Sequence, residues 1–141
     1  MGPRTVLGGF TMADVVTVPS HLSIPEVRTY MATDAANDLA APGTPAPTAV
    51  DERGRSAQTF TVDVIVRCGD TQRRVVARGQ DIYAISAPLA VEAVRRVLGG
   101  QTRTSGVASA GEIFDAPDFL RALSAHISLE PRHESRAPQV A

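Results

Sequence analysis

The feature that most constrains this sequence is a pair of alternating runs around a tight turn. From Thr59 to Arg67, Phe60, Val62, Val64 and Val66 share one face, and Thr59, Thr61, Asp63, Ile65 and Arg67 share the other. Period-2 alternation belongs to a half-buried strand. Cys68-Gly69-Asp70-Thr71 supplies turn residues, and Arg73 to Arg78 forms the returning strand. Together they predict a β-hairpin.

A helix follows. Ser86 suits the N-cap and Pro88 is tolerated in the first turn. Ala87, Ala90, Val91, Val94, Val97 and Leu98 form an apolar stripe at helical spacing. Glu92, ahead of Arg95 and Arg96, marks the opposite face as the exposed one. Gly99-Gly100 ends the helix.

Elsewhere the signals are shorter. Val6 to Phe10 reads as a loop. Val15-Val16-Thr17-Val18 predicts a strand near 14–18, and Glu26 to Met31 alternates as a second strand. A short helix is expected over 33–41. Pro42, Pro45 and Pro47 fall within six residues and make 42–57 a surface loop. Arg103 to Ala110 predicts a last strand. A final helix over 115–127 is capped by Asp115, with Asp118 in its first turn and Phe114 and Phe119 spaced as a hydrophobic staple. Leu120, Leu123 and Ile127 continue its apolar face.

The order predicts an α+β fold: a single-layer mixed, mostly antiparallel sheet with two main helices packed on one face. One domain is expected over 1–129, with 130–141 as a flexible tail.

Composition narrows the function classes. The chain has 141 residues, 43% of them hydrophobic, and a net charge of −1. That balance, with 4% aromatics and no Trp, speaks against nucleic-acid binding by bulk charge or base stacking. One Cys leaves no internal disulfide and no cysteine-based zinc site. No apolar run is long enough to span a bilayer, and Met1 to Arg4 lacks the apolar stretch of a signal peptide. A cytoplasmic protein is expected. All 14 basic residues are Arg, which excludes a Schiff-base or P-loop lysine.

No dinucleotide fingerprint, metal-spaced cluster or nucleophile motif appears. The candidates are scattered. His21 follows Val18-Pro19-Ser20 at the mouth of an expected strand and is the histidine placed like a catalytic one. Its ordinary reading is a loop histidine. Glu26, Arg28 and Tyr30 share one strand face, where Arg28 can anchor an anion and Tyr30 can donate to a carbonyl. Their ordinary reading is a solvated face with an ion pair. Asp81 and Tyr83 stand at the junction after the hairpin, able to contact a ligand or to fix the turn. Glu112 has no capping role to explain it. The candidate catalytic set is therefore His21, Tyr30 and Glu112. The candidate substrate-binding set is Arg28, Glu26, Asp81 and Tyr83.

Two stretches carry a family resemblance: Gly79-Gln80-Asp81-Ile82-Tyr83-Ala84-Ile85-Ser86-Ala87-Pro88-Leu89-Ala90-Val91-Glu92-Ala93, and Gly106-Val107-Ala108-Ser109-Ala110-Gly111-Glu112-Ile113-Phe114-Asp115-Ala116-Pro117-Asp118-Phe119-Leu120. Both resemble the C-terminal part of saccharopine dehydrogenase-like oxidoreductases, a family that includes trans-acting enoyl reductases. Val15 to His21 and Glu26 to Met31 are consistent with the same region. In that family an N-terminal Rossmann domain binds NADP. The C-terminal part adds a mixed sheet that forms the substrate site and a dimer surface. These 141 residues carry no Rossmann half, so no cofactor is expected on this chain alone. The resemblance implies a substrate-binding and dimerisation domain. Its expected partners are a second copy, a small-molecule ligand and a separate Rossmann-domain chain. The alternative is a cofactor-independent isomerase, cyclase or lyase acting on a small apolar intermediate, using His21 or a carboxylate as acid/base.

Overall fold

The computed structural model describes residues 4–9, 11–130 and 133–136. In chain order the elements are β1 (Val6–Gly8), α1 (Asp14–Thr17), β2 (Tyr30–Ala32), α2 (Thr33–Ala40), β3 (Thr59–Cys68), β4 (Thr71–Gln80), α3 (Ser86–Leu98), α4 (Ala110–Ile113), α5 (Ala116–Ala122), β5 (Ile127–Leu129) and β6 (His133–Arg136). The class is α+β. Every strand pairing is antiparallel, and the strands divide into two sheets rather than one. The chain forms two compact units, one from 1–46 with 102–115, the other from 47–101 with 116–141.

In the first unit β1 pairs with β2, setting Gly8 opposite Tyr30. The expected strand at 14–18 is the short helix α1 instead. Its β-branched residues favour a strand, but among the described residues no strand pairs with it. Local bonds from Val16 and Thr17 to the Ala13 carbonyl satisfy the backbone. α2 falls where expected, with Asp34 in its first turn, and ends before Pro42. The expected strand over 103–110 does not form. Gly106 adopts φ +95°, which breaks extension, and one bond runs from the Arg103 N–H to the Ile113 carbonyl.

In the second unit the hairpin stands as predicted and is longer, with ten paired residues on each strand. Gly69 turns it with φ +55°, as the primed hairpin turns require. β4 is central: β3 lies on one side, and β5 and β6 share the other. Phe60 and Ala77 on one sheet face pack with Ile85, Leu89, Phe119, Leu123 and Ile127. The final helix stops at Ala122, not at 127. Ile127 continues as β5 and reaches the same core from the sheet. β6 lies inside the stretch expected as a flexible tail. The rest of that tail, apart from Glu130, lies outside the described residues.

α3 departs from expectation in orientation. Its buried side carries Glu92 and Arg96, while Val91, Val94, Val97 and Leu98 are each more than half exposed. The Arg96 guanidinium joins Glu92 at 2.7 Å and Asp118 at 2.8 Å, and lies 5.3 Å from the centre of the Phe119 ring. A buried charge is tolerable only when paired in this way. Ser86 makes no side-chain cap. In the turn ahead of the helix, the Asp81 carboxylate accepts the N–H groups of Tyr83 and Ala84. At the other end Gly100, with φ +66°, closes a Schellman motif. Gln101 N–H bonds the Arg96 carbonyl, and Gly100 N–H bonds that of Val97.

Candidate functional site

Three of the sequence-predicted residues come together in the first unit. Residues 27–31 keep the expected alternation, with Arg28 and Tyr30 exposed and Val27, Thr29 and Met31 half-buried, although only 30–32 is a strand. Arg28 Nε donates to Glu26 Oε1 at 2.7 Å. That bond, reinforced by Tyr30, raises the guanidinium above its ordinary value and keeps it charged. Gly8, Gly9, Thr11, Val15, Arg28 and Tyr30 line an open cleft of about 430 Å³. Tyr30 lies so close to Gly8 that a Cβ there would stand 3.2 Å from its ring. Gly9 takes φ +71°, a conformation that glycine adopts without strain. A fixed positive charge beside a phenol hydroxyl can bind a carboxylate or polarise a carbonyl.

His21 sits elsewhere in the same unit. Its Nδ1 is 2.8 Å from the Thr17 carbonyl and 3.0 Å from Ser109 Oγ. A carbonyl cannot donate, so Nδ1 carries the hydrogen of the neutral ring and Nε2 keeps its lone pair. That tautomer excludes a serine nucleophile at Ser109 activated through Nδ1, because Nδ1 has no lone pair to take the proton. Nε2 lies against Gly111, where a Cβ would stand 2.8 Å away. Glu112 follows in the first turn of α4, half-buried, and no hydrogen bond or ion pair to its carboxylate is found among the described residues. His21 and Glu112 are absent from the lining of the Arg28 cleft.

Asp81 and Tyr83 belong to the second unit. Asp81 is 5% exposed and adopts φ +55°. Its Oδ2 accepts the Ser56 N–H at 2.7 Å, and its Oδ1 those of Tyr83 and Ala84 at 3.0 Å each. These bonds, led by that of Ser56, hold its carboxyl down at about 2. The carboxylate pins the end of the proline-rich loop to the start of the helical turn. Both oxygens are engaged in fixing the turn. Tyr83 is exposed.

Sequence reasoning missed Ser109, Gly111 and the glycines of the cleft. Their only signal is spatial, since His21 and Ser109 are 88 residues apart. Among the described residues no group of three His, Cys, Asp or Glu side chains is placed to hold a metal ion, and no helix is long and apolar enough to cross a membrane. No protein family, no curated protein and no solved structure matches the chain.

Proposed function

We propose that this chain is a substrate-binding and self-associating domain of the kind found at the C-terminal end of saccharopine dehydrogenase-like reductases, relying on a separate nucleotide-binding chain for NADP. The observation that carries this reading is the orientation of α3. A helix that turns Glu92 and Arg96 inward and a valine stripe outward offers its apolar face to a partner. A domain built to pack against a second body has such a face. The Arg28 cleft supplies the substrate subsite, with Arg28, oriented by Glu26, binding a carboxylate-bearing ligand and Tyr30 donating to it. The setting is cytoplasmic.

Calorimetry with NADPH on the purified chain, with sedimentation on the same sample, tests the reading. It expects no NADPH binding and a self-associated species. Micromolar NADPH binding by the chain alone overturns it.

The second reading is a cofactor-independent isomerase, cyclase or lyase. His21 favours it, because the Thr17 carbonyl fixes its tautomer and leaves Nε2 basic. Proton exchange at the carbon next to the carbonyl of a small keto acid, followed by NMR in deuterated water, separates the two. Exchange that is lost in His21→Gln supports the enzyme, and absence of exchange leaves the binding domain.

A further inference from the structure

β3 is the edge of its sheet. All ten of its residues pair with β4 without a bulge, and no described strand lies on its other side. The two-residue loop makes Cys68 and Thr71 a hydrogen-bonded pair. Counting back by twos, Val66, Val64 and Val62 spend their backbone groups on β4. Arg67, Ile65, Asp63 and Thr61 direct theirs to the open edge. Val62, Val64, Ile65 and Val66 are all more than 40% exposed. A long, straight, apolar edge without proline is a template for another strand.

We propose that the occupant of this edge is β3 of a second copy, running antiparallel about a two-fold axis at Ile65. Charge selects the register. With the axis at Ile65, Asp63 faces Arg67 of the second copy on both sides, and Val64 faces Val66. An axis on Asp63 or on Arg67 sets like charges face to face. An axis on Val64 or Val66 leaves both charges opposite neutral residues. Arg67 is available for this role: among the described residues its guanidinium bonds only Gln72, at 3.2 Å on the surface. Asp63 is held by Arg74 at 2.6 and 2.8 Å and then lies between two guanidinium groups. The pairing forms about six main-chain hydrogen bonds and joins the two four-stranded sheets into one. An isologous contact of this kind closes as a dimer. The inference deepens the self-association in the proposed function and rests on that reading.

The single cysteine makes the register testable. In a Cys68→Ser background, Ile65→Cys places two thiols across the axis, with Cα atoms about 5.5 Å apart, inside disulfide range. Val62→Cys places them about 20 Å apart. Mild oxidation is expected to cross-link the first variant and not the second. Arg67→Asp, with its fold checked by circular dichroism, is expected to weaken the dimer at least tenfold in sedimentation. A dimer that fails to cross-link through residue 65, or that Arg67→Asp leaves intact, overturns the inference while leaving the self-associating domain standing. A chain that is monomeric at micromolar concentrations overturns both. NADPH binding overturns the domain reading alone.

Discussion

Asp81 concentrates three backbone hydrogen bonds on one buried carboxylate, and the consequence is a pH dependence of known sign. Its carboxyl sits at about 2 in the folded chain, below its usual value of 3.8. A depressed carboxyl contributes its full stabilisation above about pH 4 and loses it as pH falls toward 2. The melting temperature is expected to drop over that window. Asp81→Asn is expected to melt lower at pH 7, with the gap to the parent chain narrowing as pH approaches 2. A gap constant from pH 7 to 2 would show that the carboxylate charge is not what the three N–H groups hold. Gly79 is a second such residue. It lies opposite Phe60, and a Cβ there would stand 2.5 Å from the Phe60 ring and 3.2 Å from the His126 carbonyl oxygen. Gly79→Ala is expected to cost about 1–3 kcal/mol in urea unfolding by overpacking. Adding Phe60→Leu should recover part of that loss. Leu123, 3% exposed in the core, marks the opposite error: Leu123→Ala leaves a void and should cost about 2–5 kcal/mol. The roles of Asp81 and Gly79 were only half legible. An Asp at the junction after a hairpin is a turn signal, but its bond to Ser56 spans 25 residues, and a glycine in a strand does not announce which ring covers it.

Among the elements, α3 separates what periodicity reveals from what it hides. The helix, its length and its glycine stop all follow from local sequence. Which face is inward does not. The stripe of Val91, Val94, Val97 and Leu98 has the spacing of a core face, yet this unit buries the side that carries Glu92 and Arg96. The hidden factor is Asp118 on α5, which completes the pairing of Arg96 from a distant part of the chain. The inversion makes an unusual prediction. Val94→Asp is expected to change stability by no more than about 0.5 kcal/mol, as at a surface position, and to lower binding of an apolar fluorescent dye. Arg96→Ala, by leaving the buried Glu92 to the largely exposed Arg95, is expected to lower the melting temperature more than Glu92→Gln combined with Arg96→Met. If Val94→Asp unfolds the chain, the stripe is core after all. The hairpin was the most legible element because both its period and its turn are local. The strands expected at 14–18 and 103–110 were misread because β-propensity counts only where a neighbouring strand exists.

For the whole molecule, the sequence supports the α+β class and most of the element order. Its division into two units was not legible. Residues 102–115 belong with 1–46 through contacts such as His21 with Ser109, and nothing local marks that return. Asp81 and Tyr83 belong to a different unit from Glu26, Arg28 and Tyr30. The division also has a practical consequence. Neither unit is one continuous piece of chain, so a single cut in the proline-rich loop leaves 102–115 on the piece that carries the whole of the other unit. The two pieces, 1–46 and 47–141, then form a natural split pair: the first unit exists only when they meet again. His21 travels on one piece and Ser109 on the other, so the imidazole resonances of His21 would report the reunion directly.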